Sequence, residues 1–249
     1  MKRKYLLVSL LVVAAVLGVY LNRSYAYIYD KMGGTNMKLP DKSEEYFIGN
    51  NAKDGKSLVY VALGDSLTAG AGVDNYEKSY PYLIAEKLSE KNNIILKSRA
   101  VPGFKSGDVK DALLSSAVSD DPDIVTLLVG VNDIHNQISK DDFRENYDQI
   151  LKVLTQETKA KIYAISIPFV GSGSLILPPH NYYLDLETRE FNEIIKDLAE
   201  KNNVPYVDLY SPTAEEFKRS DSYYSIDLFH PSAKGYDFWA KIIYASLDR

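Results

Sequence analysis

The sequence predicts an α/β fold in which helices cover both faces of a parallel sheet of five strands. From residue 57 onward, short runs rich in β-branched residues alternate with segments whose apolar residues recur at spacings of three and four. Strands separated by helix-length segments are joined by right-handed crossovers, which make the strands parallel and place helices on both faces. The predicted architecture is therefore a three-layer α/β/α sandwich.

The predicted strands are the runs 58–63, 94–96, 124–129, 162–167 and 206–209. The helical patterns between and after them are carried by four apolar sets: Tyr82, Leu83, Ala85 and Leu88; Phe143, Tyr147, Ile150, Leu151 and Leu154; Phe191, Ile194, Ile195 and Leu198; and Phe238, Trp239, Ile242 and Ile243. No internal repeat interrupts this alternation. Residues 57–249 are therefore predicted to form one domain.

The first 26 residues have the pattern of an export segment. Lys2, Arg3 and Lys4 precede residues 5–21, a run of 17 residues without a charged side chain. As a helix this run spans about 26 Å, slightly less than the roughly 30 Å hydrocarbon core of a bilayer. The basic flank predicts a cytoplasmic N-terminus and a following domain on the outer side of the cell membrane.

The same segment leaves retention and cleavage open. Ser24-Tyr25-Ala26 has the small-x-small form of a cleavage site, whereas the long apolar run and the absence of a lipobox cysteine favour an uncleaved anchor. We expect residues 5–21 to hold the protein in the membrane, with secretion as the result of cleavage and a buried core helix as a third alternative. Residues 27–56 have turn-forming residues and no sustained period, and are predicted to be a spacer.

Composition excludes several classes of function. The 249-residue chain has no cysteine, which excludes disulfides, thiolate metal sites and cysteine nucleophiles. Its formal charge is −5, but residues 1–26 contain four basic and no acidic residues, so the remainder carries −9. A domain this acidic is a poor nucleic-acid binder, because such binding depends on neutralising phosphates with Lys and Arg. The complete dinucleotide, P-loop and H-E-x-x-H motifs are also absent.

Polar residues follow most of the predicted strands, at the sheet edge where doubly wound folds bind ligands. Ser66 follows the first strand, Gly103 the second, Asn132 the third, and Asp227 and His230 the fifth. A hydroxyl nucleophile, an imidazole base and a carboxylate that orients it are the parts of an acyl-transfer site, which needs no metal or cofactor. The N–H groups of Ser66 and Gly103 and the Asn132 amide are the candidate oxyanion-hole donors.

Four sequence blocks in this order resemble the SGNH (GDSL) hydrolases. They are residues 64–67 (GDSL), residues 100–108 around Gly103, residues 130–133 (GVND) and residues 227–231 (DLFHP). The resemblance implies an ester hydrolase on a flavodoxin-like sandwich. The four residues that give the family its letters S, G, N and H are Ser66, Gly103, Asn132 and His230. It covers about residues 57–249.

These observations predict a serine esterase that cleaves carboxylic esters through an acyl-enzyme. Its substrate is expected to be a small-molecule, lipid or carbohydrate ester. A lysophospholipase or thioesterase and a deacetylase of cell-envelope polysaccharide are both compatible with the sequence. An inactive surface binding module is the alternative from a different class.

The segment 168–186, after the fourth predicted strand, is unusually long and contains Leu175, Ile176 and Leu177. Loops of this length in compact domains are often functional. We expect it to form a wall of the acyl pocket or a flap that dips into the membrane, with simple packing over the sheet edge as the alternative.

Overall fold

The computed structural model describes residues 2–34, 39–41, 43, 45–49 and 57–247. The strands are β1 (Glu45–Ile48), β2 (Ser57–Gly64), β3 (Asn93–Ala100), β4 (Ile124–Leu128), β5 (Lys161–Ile165) and β6 (Tyr206–Val207). The α-helices are α1 (Lys2–Gly34), α2 (Tyr80–Ser89), α3 (Ser106–Ala112), α4 (Leu114–Ser119), α5 (Val131–His135), α6 (Lys140–Glu157), α7 (His180–Lys201), α8 (Tyr210–Glu216) and α9 (Ala233–Leu247).

The strands form one sheet in the order β1-β3-β2-β4-β5-β6. Strands β2 to β6 are parallel and correspond to the five predicted runs, which confirms the predicted α/β class. Helices α2 and α9 pack together, and α6 packs against α3 and α7, so two helical layers enclose the sheet. Strands buried on both faces explain why the central runs are almost continuously apolar.

The prediction of a purely parallel, five-stranded sheet was wrong in one respect. A sixth strand, β1, pairs antiparallel with the outer edge of β3, from Glu45 opposite Lys97 to Ile48 opposite Ile94. It lies inside the segment 27–56 that was predicted to be a spacer. The strand has only four residues and alternates between exposed and half-buried side chains. The strand is held by the backbone ladder with β3 and by Tyr46 and Ile48, which pack against the core. Four residues are too few to show a clear hydrophobic period.

Helix α6 illustrates how the apolar period builds the core. Its buried residues are those of the predicted pattern, namely Phe143, Tyr147, Ile150, Leu151 and Leu154. Ser139 caps the helix by accepting a hydrogen bond from the Asp142 N–H at 3.1 Å. The apolar stripe therefore faces the sheet and the polar side faces solvent.

Helix α1 has two parts. Residues 4–20 are exposed throughout, whereas Leu21, Ser24, Ile28 and Lys31 form a less exposed stripe at helical spacing. The helix from Lys4 to Ile28 is long and apolar enough to cross a membrane, and none of its most apolar window is buried in the protein. The structure therefore does not support the buried core helix that the sequence left open. The helix also continues well into the predicted spacer.

Candidate active site

The predicted site residues meet at the carboxyl edge of the sheet. Ser66 follows β2, Gly103 follows β3, Asn132 lies in the first turn of α5 after β4, and His230 precedes α9. These four line one cleft of about 560 Å³. Asp227 lies behind His230, with 2% of its surface exposed. The structure thus brings together all five residues that the sequence singled out.

Ser66, His230 and Asp227 form a hydrogen-bonded chain. His230 Nε2 lies 3.1 Å from Ser66 Oγ, and His230 Nδ1 lies 2.6 Å from Asp227 Oδ2. With the proton on Nδ1, the imidazole donates to the carboxylate and presents its Nε2 lone pair to the serine hydroxyl. This arrangement can remove a proton from Ser66 as its oxygen attacks a carbonyl carbon.

The Asp227 carboxylate is held by the turn that carries the histidine. Its Oδ1 accepts hydrogen bonds from the N–H groups of Phe229 and His230, both at 3.0 Å, and from the Ser225 hydroxyl at 2.6 Å. Burial raises the pKa of Asp227, but the hydrogen bonds and the attraction to His230 outweigh burial and lower the pKa to about 2. Asp227 is therefore ionised at neutral pH and fixed in orientation.

The loop after β2 and the histidine turn approach each other closely at Gly72. A Cβ on Gly72 would lie 2.2 Å from the Pro231 carbonyl oxygen, and its φ of +102° also favours glycine. The Tyr236 hydroxyl donates to the Ala71 carbonyl at 2.7 Å beside this contact. These contacts fix the distance between the two loops that carry Ser66 and His230.

The other side of the cleft carries two candidate donors. Gly103 has a φ of +82°, and no atom lies within 4 Å of the place where a Cβ would stand. The Asn132 amide donates to the Phe104 carbonyl at 3.0 Å and lies 3.4 Å from Asp65 Oδ2. The second contact is long and therefore weak, so an oxyanion in the cleft can compete with Asp65 for that N–H.

A family model for GDSL-like lipases and acylhydrolases matches residues 62–238. The chain belongs to this GDSL-like family. It is therefore an ester-bond hydrolase, as the resemblance implied.

Named relatives of this GDSL-like hydrolase include two curated bacterial proteins. The spore germination lipase LipC of Bacillus licheniformis is 24% identical over 210 residues, covering 73% of this chain and 92% of that protein. The acetylxylan esterase of Geobacillus stearothermophilus is 23% identical over 214 residues, covering 82% of this chain and 94% of that protein. The crystal structure of a lipase/acylhydrolase from Enterococcus faecalis superposes with a TM-score of 0.64 at 21% identity, covering 76% of this chain and 95% of that one. These likenesses show a shared fold.

The walls of the cleft include residues that sequence reasoning missed. Tyr25 and Ile28 reach it from α1, and Phe229 lies beside His230. Residues 19–32 contain no glycine or proline, so nothing in the sequence ends α1 at the end of the apolar run. This absence was the signal that the helix could reach the cleft. Ser225 was also missed, although it lies two residues before Asp227, a spacing that suits a local hydrogen bond between the two side chains.

The segment 168–186 contributes to the cleft with a different subset of residues from the expected one. Ile176, His180, Tyr183 and Leu184 line the cleft, whereas Leu175 is fully buried outside it. The segment is also shorter as a loop than expected, because α7 begins at His180. Part of the segment therefore forms a wall, and part packs within the protein.

Two buried carboxyl groups, those of Asp65 and Asp133, bond to the backbone next to the site. Asp65 accepts a hydrogen bond from the Leu67 N–H at 3.0 Å, and Asp133 accepts from the Ser106 N–H at 2.9 Å and the Ser106 hydroxyl at 2.6 Å. Burial raises the pKa of Asp65 to about 7 and also raises the pKa of Asp133. Both carboxylates therefore hold the backbone of the loops that follow β2 and β3.

The raised pKa of Asp65 predicts how stability depends on pH. Between its ordinary pKa of about 3.8 and about 7, the folded state keeps a proton that the unfolded chain releases. The free energy of unfolding should therefore decrease as pH rises from 4 to 8, by up to about 4 kcal/mol from Asp65. Denaturant titrations at several pH values measure this slope. Asp65→Asn should make it shallower, and an equal slope in both proteins would contradict the assignment.

Proposed function

We propose that the protein is a serine esterase that hydrolyses carboxylic esters through an acyl-enzyme on Ser66. The observation that carries the proposal is the hydrogen-bonded chain from Ser66 Oγ through His230 to Asp227. Because this chain opens into a cleft that also contains Gly103 and Asn132, a substrate carbonyl can meet the nucleophile and the oxyanion donors together.

The proposed reaction has two halves. His230 Nε2 takes the Ser66 proton as Oγ attacks the ester carbonyl, and the N–H groups of Ser66 and Gly103 with the Asn132 amide stabilise the oxyanion. His230 then gives the proton to the leaving alcohol, which leaves an acyl-Ser66 ester. Water, deprotonated by His230, attacks this ester, and His230 returns the proton to Ser66 Oγ as the carboxylic acid is released. Asp227 holds the imidazole and stabilises its positive charge in both halves.

A burst assay tests the proposal directly. Rapid mixing of the full-length protein in detergent with p-nitrophenyl acetate should release about one equivalent of p-nitrophenol before steady turnover. A fluorophosphonate should block turnover and add its mass to the peptide that contains Ser66. EDTA should have no effect. Absence of both turnover and labelling would favour the inactive binding module.

Asn132→Ala tests the oxyanion assignment. The loss of one preorganised donor should lower kcat about 10²- to 10³-fold, with little change in KM, because the donor acts on charge that develops in the transition state. Steady-state kinetics with p-nitrophenyl acetate measure both constants. Gln156→Ala, which removes an exposed amide side chain near the end of α6, is the control and should keep wild-type kcat. A tenfold rise in KM at unchanged kcat would mean that Asn132 binds the ground state instead.

We also propose that α1 is an uncleaved anchor with the esterase domain outside the membrane. The exposed apolar surface of residues 4–20 and the basic flank support insertion. Ser24, in the candidate cleavage site, is 4% exposed because it packs against the domain, which supports retention. Full-length protein should remain in the membrane fraction after a carbonate wash and be digested by protease added to intact spheroplasts. A soluble mature form that begins at Tyr27 would overturn the anchor.

A further inference from the structure

The contact between α1 and the domain is specific and lies next to the cleft. The Tyr20 hydroxyl donates to the Pro178 carbonyl at 2.7 Å, and His180 Nε2 lies 3.0 Å from Ser24 Oγ. The Tyr27 hydroxyl lies 3.4 Å from the Ser174 carbonyl. The end of the anchor helix is therefore attached to the segment that leads into α7.

Beyond this attachment, α1 forms part of the cleft itself. Tyr25 and Ile28 line the same cavity as Ser66 and His230, with Ile176 and Leu184 among its other apolar residues. A volume of about 560 Å³ falls in the range of pockets that enclose a small ligand or one branch of a larger one. The lining also contains the polar side chains of His135, Gln137 and His180, but most of its surface is apolar. A mainly apolar lining fits an acyl chain better than it fits a sugar, whose hydroxyls need hydrogen-bond partners.

We propose that α1 is both the anchor and a wall of the acyl-binding cleft, so that the enzyme takes its acyl group from a lipid ester in the leaflet that surrounds α1. This inference rests on the proposed serine esterase and names its substrate class. Ile28 and Tyr25 then determine which acyl chains fit. An ester of a soluble polysaccharide would reach the cleft from water, and its binding would not require a wall formed by the membrane anchor.

The heights along α1 agree with this assignment. The apolar run ends at Leu21, and Tyr25 and Ile28 follow four and seven residues later. At 1.5 Å per residue, they lie about 6 and 10 Å beyond the end of the run. The headgroup region of a bilayer is about 5 to 8 Å deep on each side, so Tyr25 lies within this region and Ile28 lies just beyond its outer edge. The cleft therefore begins in the headgroup region.

Exposed tyrosines mark the same level. Tyr20, Tyr25 and Tyr27 on α1 are each more than 40% exposed, and Tyr182 and Tyr183 in the first turn of α7 are 70% and 55% exposed. Amphipathic rings of this kind prefer the interface between hydrocarbon and water. Their position on both sides of the α1 contact favours an interface in which this face of the domain meets the headgroups.

Ile28→Trp in the full-length protein tests the wall. The larger side chain should fill the cleft, so the ratio of kcat/KM for p-nitrophenyl decanoate to kcat/KM for p-nitrophenyl acetate should fall at least tenfold. Tyr25→Ala should shift selectivity the other way, toward longer chains. Ala26→Trp is the matched control, because Ala26 is exposed and points away from the stripe, and it should keep the wild-type selectivity.

The outcomes separate the two proposals. If Ile28→Trp keeps acetate turnover and also keeps wild-type selectivity, the wall is wrong and the esterase stands. If Ala26→Trp changes selectivity as much as Ile28→Trp, the effect is not specific to the cleft and the wall is also wrong. If wild-type protein neither cleaves p-nitrophenyl acetate nor accepts a fluorophosphonate on Ser66, the proposed function itself fails.

Reconstituted vesicles test the source of the substrate. Protein is inserted in vesicles of dioleoylphosphatidylglycerol with radiolabelled acyl chains, or in unlabelled vesicles mixed with separate labelled ones. We expect release of labelled oleate only when protein and labelled lipid share a vesicle, at least tenfold above Ser66→Ala. Release of acetate from acetylated xylan with no release of oleate from either vesicle sample would overturn the lipid assignment.

Discussion

Ser66→Ala should abolish ester hydrolysis and leave the fold unchanged. The side chain is almost buried and contributes a hydroxyl that contacts His230, so its removal deletes the proposed nucleophile and creates only a very small change in packing. Loss of the nucleophile in a serine hydrolase lowers turnover by on the order of 10⁴- to 10⁶-fold. Initial rates with p-nitrophenyl acetate measure the loss, and thermal unfolding measures the fold.

Ser115→Ala is the matched control for this variant. Ser115 is exposed on α4, away from the cleft, so its loss should leave both turnover and melting temperature at wild-type values. A Ser66→Ala protein that is folded and keeps more than a tenth of wild-type turnover would show that another group attacks the ester.

Asp227→Asn should lower kcat by about 10⁴-fold. An amide in this position can donate to His230 Nδ1, which favours the tautomer whose proton is on Nε2 and prevents it from accepting the serine proton. The imidazolium formed during the reaction also loses its counter-charge. Stopped-flow or steady-state assays over a range of pH values measure the loss, and KM should change much less than kcat.

The comparison with two other variants makes the second prediction specific. Asp237→Asn removes an exposed carboxylate that pairs with Lys241, and it should keep wild-type kcat. Ser225→Ala removes one of the three hydrogen bonds to Asp227 Oδ1 and should give a smaller loss than Asp227→Asn. A loss after Ser225→Ala that equals the loss after Asp227→Asn would mean that position, and not charge, dominates at Asp227.

The parallel part of the fold was predictable because its signals are local. Residues 58–63 and 124–129 are apolar runs that become buried strands, and the spacing of Phe143, Tyr147 and Ile150 marks the inner face of α6. Ser66 and Asn132 follow these two strands directly, and Gly103 follows β3. Their convergence in one cleft follows from parallel topology, which places all carboxyl ends at one edge.

The unpredicted parts depend on contacts between distant segments. Strand β1 exists because the edge of β3 offers unpaired backbone groups, and nothing in Glu45-Tyr46-Phe47-Ile48 specifies that partner. Tyr25 and Ile28 reach the cleft because Ser24 meets His180, a contact across 156 residues. The sequence signal of the apolar run indicated a membrane segment but gave no information about what its far end touches.

The continuous helix α1 links membrane thickness to the depth of the cleft. In the anchored arrangement that we propose, a 17-residue run of about 26 Å faces a hydrocarbon core of roughly 30 Å, and the bilayer must thin locally or draw in the residues that flank the run. On the outer side, Tyr20 at the end of the run is joined to Pro178, and Ser24 in the flank is joined to His180. Hydrophobic mismatch therefore draws the mouth of the cleft toward the lipids, and we expect this displacement to increase with membrane thickness.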